Sequence, residues 1–585
     1  MKFIRVNMTD KSVKVEDVPK PFQGLGGRCL TSCLVNAEVP ARCDALGPEN
    51  KLVFAPGLLT GTTMVNTSRL SIGSKSPLTG GIKESNAGGT AAAALGRLGI
   101  TAIIIEGQAP EGELCILHVE ENGQGKLVDA QAFKMTRTYA LVENLLGEYG
   151  EKNSVLCIGP AGEQCLASAS IQSSDIDGHP CRAAGRGGLG AVMGSKGLKA
   201  LVIDRGGNSP DELADPETFK EASKVFAKAV KEDIFSGQIM PALGTAALVA
   251  VINSVGAFPT NNARQGVFEG WEKISGEKMA EIITQRGGKT THKGCSQCIV
   301  NCSNVFVDEG GQYVTSSLEY ETIWSTGGMC GIDDLDTIAR LDFLCDDIGL
   351  DTMNTGVAIA VAMDAGYKKF GDGQAALDLL EEVAQGTEMG LLVGSGPVAV
   401  GRHFNHDRVP VVKNQSIAAY DPRAIQGYGV TYATSPMGAD HTAGPVLAEN
   451  LTAFGGQLDP LKPQGQMANS RNNQIAAALI DSLGLCLLAA TSLSQPEVMG
   501  AVLTMVNAKL GTQFGPNELA GLAIKAIHME REFNRKAGFT MKDDRLPQFF
   551  KDEPLAPNNT VFGVQDYELD GAFVILGGAV YNAAL

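Results

Sequence analysis

Residues 199–233 change texture partway along: KALVIDRG at 199–206 reads as a strand, RGGNSPDEL at 205–213 as a turn, and DPETFKEASKVFAKAVKED at 215–233 as a helix. The last stretch opens on Asp-Pro, a helix start signal, and then places apolar residues at helical spacing. Upstream, LVFAPGL (52–58), SRLSIGS (68–74), TAIIIEG (101–107), LCILHV (114–119) and SVLCIG (154–159) are short strand patterns separated by glycine clusters. Downstream, helical runs dominate, among them TIARLDFLCDDIGLD (337–351) and NQIAAALIDSLGLC (473–486). The expected fold class is α+β: a β-rich domain over 1–205, then two mainly α-helical domains over 206–415 and 416–585.

A chain of 585 residues has room for three or four domains at roughly 150 residues each. Its hydrophobic fraction of 44% and charged fraction of 19% describe an ordered globular protein. Seventy-one glycines suit a backbone that turns tightly around something bulky, and equally a β-rich fold with many hairpins. The net charge of −17 and the lack of any basic run argue against nucleic acid as a partner. MKFIRVNMTDKSVKVEDV at the N-terminus alternates like two strands around a TDKS turn, so a cytoplasmic protein is expected. No uninterrupted apolar run reaches the roughly 20 residues of a membrane-spanning helix. In that compartment the thirteen cysteines are ligands or small buried hydrophobes rather than disulfide partners.

GCSQCIVNCSN at 294–304 places Cys295, Cys298 and Cys302 in a Cys-x2-Cys-x3-Cys motif. Three thiols so close suit a [4Fe–4S] cluster, whose fourth ligand often lies far away in sequence. Cys486 is the candidate. Zinc competes for such spacing but usually draws on a second close Cys or His pair. The two long helical runs end alike, in Asp346-x-x-Gly349-Leu350-Asp351 and Asp481-x-x-Gly484-Leu485-Cys486. Taken alone this is explained by an ordinary Gly-Leu helix cap.

With these motifs in order, the chain resembles the aldehyde ferredoxin oxidoreductase family. The matching stretches are GGRCL (26–30), LGPENKLVFAPGLLTGT (46–62), SRLSIGSKSPLTGGIKESNAGG (68–89), AIIIEG (102–107), CRAAGRGGLGAVMGSKGLKA (181–200), the cysteine motif, LEYETIW (318–324), DDIGLDTMNTG (346–356), YDPRAIQGYGVTYATSPMGADHT (420–442), DSLGLC (481–486) and REFNRKAGFT (531–540). The resemblance implies a tungsten or molybdenum bis-pterin cofactor seated on the β domain, a [4Fe–4S] cluster and a Mg2+ ion joining the pterin phosphates. It implies that Arg69, Asn86, Gly88, Arg182, Ala183, Gly185 and Arg186 contact the pterins or the magnesium, with Asn86 and the Ala183 carbonyl as its oxygen ligands. Asp346 and Asp481 would each accept from one pterin, Leu350 and Leu485 would add backbone contacts, and Asp351 would stand where the other repeat has Cys486. Glu321 would be the general base in aldehyde oxidation, with Glu319 its rival in register, and His441 would hydrogen-bond the carbonyl oxygen. Electrons would leave to ferredoxin or to an iron–sulfur partner subunit, in a homo- or hetero-oligomer. The alternatives are a reductase of carboxylic acids or aryl thioesters, and a non-catalytic electron-transfer subunit. Two features depart from the family pattern: TIARLDF stands where some relatives carry an iron-binding Glu-x-x-His, and Thr442-Ala443 follow His441 where one branch has a lysine nearby.

Overall fold

Phe3, Ile4 and Val6 are buried in β1 (Lys2–Asn7), which pairs antiparallel with β2 (Ser12–Asp17) across the TDKS turn. The computed structural model describes residues 1–206 and 213–574. Most of the expected turn at 205–213 therefore lies outside the described residues.

β3 (Leu52–Pro56), β4 (Leu70–Lys75), β5 (Ile82–Ala87) and β6 (Ile100–Glu106) complete a six-stranded sheet in the order β2-β1-β6-β3-β4-β5. Only β1 and β6 run parallel. The plan then repeats. β7 (Cys115–Val119), β8 (Gly125–Asp129), β9 (Ser154–Cys157), β10 (Ile171–Ser173), β11 (Arg182–Ala184) and β12 (Leu198–Ile203) lie in the order β8-β7-β12-β9-β10-β11, with β7 and β12 the one parallel pair. Both sheets are covered on two faces, which explains unbroken apolar strands such as Ile103-Ile104-Ile105: Ile103 and Ile105 enter one core and Ile104 another. The copies approach each other along β5 and β11. Asn86 in β5 pairs with Ser71 in β4, and Ala183 in β11 pairs with Gln172 in β10, so these two expected magnesium ligands hold equivalent places in the two copies.

Beyond β12 the described chain is mainly helical, as the texture predicts. Asp215 caps helix Pro216–Glu232 by accepting from the Thr218 N–H at 3.1 Å. That helix packs on Pro496–Leu510, so the start and end of the helical region share one core. Phe550, Leu555 and Phe562 return in the same way to a core containing Phe258 and Tyr428. A small sheet of β13 (Lys289–His292), β14 (Ser303–Val307) and β15 (Tyr313–Ser316) frames the cysteine motif. Among the described helices, one stretch, Phe235–Ser254, has the length and mean hydropathy to cross a membrane, which the sequence reading did not anticipate. Gly244, at φ 60° and ψ −161°, breaks it, and Met240, Val249 and Ile252 are buried.

Candidate cofactor and redox site

The two Asp-x-x-Gly-Leu segments are helix caps of one kind. In helix Leu335–Ile348, Gly349 takes φ 81°, its N–H donates to the Asp346 carbonyl, and the Leu350 N–H donates to the Cys345 carbonyl. In helix Gln466–Leu483, Gly484 takes φ 78°, its N–H donates to Asp481 and that of Leu485 to Ile480. This is the double hydrogen bond of a Schellman cap, in which glycine is favoured because it reaches the left-handed region without strain. The N–H groups of Leu350 and Leu485 are thus spent in the caps.

Each copy of the strand plan seizes one cap. Arg69, the residue before β4, donates its N–H to the Gly484 carbonyl at 3.3 Å; Ser170, the residue before β10, donates to the Gly349 carbonyl at 2.9 Å. A carboxylate in the last turn of a helix lies against the negative end of the dipole and loses further from burial. Burial pushes the Asp346 carboxyl well above its usual range, helped by the nearby Asp342. Burial likewise pushes Asp481 up to about 6, against the opposing pull of Arg28 and Arg69. Among the described residues the Asp346 carboxylate has no hydrogen-bond partner, and Asp481 has only Arg28 at 3.4 Å. Carboxylates placed at such cost suit N–H donors from outside the chain.

Cationic donors face the same region. Arg69 makes no side-chain hydrogen bond among the described residues, and its Nη1 would lie 2.9 Å from a Cβ built on Gly88. Among the described residues the buried Arg182 Nε has no partner. Asn86 offers Nδ2 to Ser71 and Glu84 at 3.4 Å each, and its Oδ1 accepts no hydrogen bond among the described residues. Gly185 has open space about it, where a Cβ would meet only the Ala183 Cβ at 4.0 Å. Unsatisfied guanidinium donors beside unsatisfied carboxylates fit a ligand carrying both phosphates and ring N–H groups, as the bis-pterin does. Arg186 is differently placed: it donates to the Ala439 and Ser416 carbonyls at 2.7 Å and faces Asp351 at 3.4 Å. Asp351 caps helix Thr352–Asp364 through the Met353 N–H.

Asn66 links the Cys486 loop to the Cys298 end of the cysteine motif. The Cys486 N–H donates to the Asn66 carbonyl at 2.8 Å, the Asn66 Nδ2 to the Cys298 Sγ at 3.4 Å, and the Asn66 N–H to Gln297 at 3.0 Å. Further N–H groups of Gly89 and Asn301 point at the sulfurs of Cys295 and Cys298, each at 3.3 Å. Burial pushes the Cys298 thiol up to about 11, reinforced by Cys295 and Cys486. All four are partly exposed, whereas eight of the other nine cysteines are buried. Among the described residues no three His, Cys, Asp or Glu side chains gather as ligands of a single ion; zinc would need its thiolates about 2.3 Å from one point.

Glu319 and Glu321 part company at a helix start. Glu319 is extended, at φ −96° and ψ 159°, and Glu321 lies in the first turn behind it. The Glu321 Oε1 lies 3.0 Å from the His441 Nε2 and accepts from the Tyr420 hydroxyl at 3.1 Å. Burial pushes this carboxyl up, but the His441 charge and hydrogen bond, with Tyr420, outweigh it and hold it below its ordinary value. Tyr420 stacks on Tyr428 with centroids 4.3 Å apart. Asp440, next to His441, pairs with buried Lys83 of β5, which ties the loop to the first sheet.

Sequence reasoning missed several supports. Arg28 Nε and Nη2 hold Glu530 at 2.9 and 3.0 Å, with Ser32 donating to the same carboxylate, and the Arg28 Nη1 faces Asp481. Arg28 and Glu530 lie in the GGRCL and helix Pro516–Ala537 segments, 502 positions apart, so no local pattern joins them.

Residues 3–205 match the family description "Aldehyde ferredoxin oxidoreductase, N-terminal domain" and residues 221–570 match "domains 2 & 3" of the same family. The chain is 33% identical over 574 residues to the tungsten-containing aldehyde ferredoxin oxidoreductase of Pyrococcus furiosus, covering 95% of this chain and 92% of that one. It is 25% identical to the aliphatic sulfonate oxidoreductase, WOR-like subunit, of the same organism, covering 95% of this chain and 90% of that one. In fold it is similar to the active site complex BamBC of benzoyl coenzyme A reductase, with a TM-score of 0.80 at 20% identity over 98% of this chain and 94% of that one. The chain therefore belongs to the aldehyde ferredoxin oxidoreductase family.

Proposed function

We propose that this oxidoreductase converts an aldehyde and water to a carboxylic acid, releasing two protons and two electrons, in the cytoplasm. The observation that carries the reading is the buried Glu321–His441 pair, held by Tyr420. When bound, a tungsten or molybdenum bis-pterin supplies the two-electron acceptor and a [4Fe–4S] cluster passes electrons on singly. Arg69, Gly88, Arg182, Gly185, Asp346 and Asp481 would hold the pterins, Asn86 and Ala183 a Mg2+ ion, and Cys295, Cys298, Cys302 and Cys486 the cluster.

Glu321, kept ionised by His441 despite its burial, takes the proton from the water that attacks the carbonyl carbon. Tyr420 holds the carboxylate in place. His441 can donate from both ring nitrogens only as the imidazolium. Its Nδ1, buried without a partner among the described residues, is then the donor to the carbonyl oxygen as charge develops there. Glu319 is engaged by Arg182, Thr245 and Ser317 and is not the base. Electrons leave to ferredoxin or an iron–sulfur subunit.

Anaerobically purified protein should carry about four irons and one tungsten or molybdenum per chain; zinc alone would sink the reading. Glu321→Gln should abolish dye-linked aldehyde oxidation at unchanged metal content. Reduction of an aryl thioester with no oxidation of any aldehyde would move the assignment to the reductive alternative.

A further inference from the structure

Glu319 is part-buried and committed to three donors, yet none belongs to the proposed catalytic pair. The Arg182 Nη1 reaches its Oε1 at 3.3 Å, Ser317 donates to the same oxygen and Thr245 to the other. The Thr245 hydroxyl also accepts from the Tyr320 N–H at 2.9 Å, so it fixes the backbone and the carboxylate together. On its far side Arg182 presses into the cysteine loop. Its Nη2 occupies the space that a Cβ on Gly294 would need, at 1.9 Å, and Gly294 directly precedes Cys295. Its Cδ would lie 3.9 Å from a Cβ on Gly88, which would stand 2.7 Å from the Cys295 Sγ. One guanidinium, carried by the first residue of β11, is thus held between the Glu319 carboxylate and the Cys295 loop.

We infer that Glu319 is a positioning residue for electron transfer: its carboxylate anchors Arg182 against the Cys295 loop, and the pair sets the potential at which the cluster accepts an electron. This rests on the reading of the four cysteines as a cluster site. Adding an electron to a cluster is disfavoured by a nearby negative charge and favoured by a positive one, and in a part-buried site such charges act over several ångströms with little screening. With Glu319 and Arg182 in contact the two effects largely offset. Changing either partner should unbalance them in a known direction.

Glu319→Gln preserves the shape of the side chain and removes its charge. Anaerobic redox titration of the full-length purified protein, followed by the electron paramagnetic resonance of the reduced cluster, reads the effect. The expected result is full iron, a cluster signal and a midpoint displaced to more positive potential. Gly294→Ala tests the other partner, because the added methyl group displaces the guanidinium while Glu319 remains. Here the midpoint should move to more negative potential. A purely structural role for Glu319 would lower iron content or thermal stability in both variants without shifts of opposite sign. A Glu319→Gln protein with full iron and the wild-type midpoint overturns the inference; if that variant does not accumulate, an unmoved midpoint in Gly294→Ala at full iron does so. Wild-type protein without iron would overturn the cluster reading instead.

Discussion

Gly57 lies so close to Gly484 that a Cβ built on Gly57 would stand 2.1 Å from the Gly484 Cα. The first sheet therefore meets the second helix cap backbone to backbone, and the Leu58 and Leu59 N–H groups donate to the Ser482 and Leu483 carbonyls at 2.9 and 3.0 Å. Gly159 does the same for the other cap, where its Cβ would fall 2.2 Å from the Ile348 carbonyl oxygen. Backbone cannot give way as the end of a flexible side chain can. Gly57→Ala and Gly159→Ala should each destabilise the protein by about 3 kcal/mol and release cofactor, as read by denaturant unfolding and by pterin content. Gly147→Ala is the contrast: it sits in helix Thr138–Tyr149 with no atom within 4 Å of the new methyl, and should stabilise by roughly 0.5–1 kcal/mol.

The Glu321–His441 pair predicts the acid side of the pH profile. Burial alone would raise this carboxyl, and His441 reverses the sign. A carboxyl depressed in the folded state contributes stability above its unfolded value, and that contribution is lost as pH falls through the lower folded value. Wild-type activity should therefore hold on acidification to below the ordinary value of 4.5 for this group before Glu321 protonates. In His441→Gln the burial effect is no longer outweighed, so the acid limb should move to higher pH. An acid limb unchanged between the two proteins would disconnect His441 from the ionisation of Glu321.

Asp481 carries the opposite sign. Its carboxyl is raised from 3.8 to about 6, so the folded chain binds a proton that the unfolded chain has released. Stability is lost as pH rises from 3.8 through about 6 and stays lost at neutral pH. Asp481→Asn, which removes the charge at similar size, should stabilise the cofactor-free chain at pH 7 and weaken its hold on the pterin. Urea unfolding at two pH values and cofactor retention through gel filtration measure the two effects. Reduced stability of the cofactor-free variant at pH 7 would contradict the assignment. A residue that costs the fold something and serves the ligand is the expected form of a stability–function trade-off.

Much of this arrangement was legible in the sequence and part was not. The β-then-α texture is visible because alternation and helical spacing are local, and Asp215-Pro216 marks the change of regime. The Asp-x-x-Gly-Leu repeat is legible as a cap, since glycine followed by an apolar residue is what the cap geometry demands. Its second meaning is hidden, because the sheets that seize the caps are far away in sequence. The duplicated strand plan is hidden for a related reason: Asn86 and Ala183 share a place in the pairing but not an identity. Glu319 and Glu321 could not be told apart by spacing. The turn from extended Glu319 into the helix at Tyr320 sends one toward Arg182 and the other toward His441, and that depends on Thr245, which receives the Tyr320 N–H.

Cys486 is tied to the Cys298 end of the cysteine motif through Asn66 rather than by sequence. Its N–H bond to the Asn66 carbonyl does not involve the thiol, so Cys486→Ser should keep the loop and the fold. A serine hydroxyl is a poor soft ligand for iron, so the variant should lose iron and the [4Fe–4S] signal at a melting temperature close to that of the parent. Because the same loop begins at Asp481, proposed above to hold a pterin, tungsten or molybdenum content separates a local loss from a collapsed loop: it should stay near the parent value. Electron transfer to an external acceptor should fall even so, because the cluster would be the exit. Cys165→Ser is the matched control, being the one other partly exposed cysteine, and should keep its iron. Full iron and an unchanged signal in Cys486→Ser would remove Cys486 from the ligand set and leave the fourth position to another group.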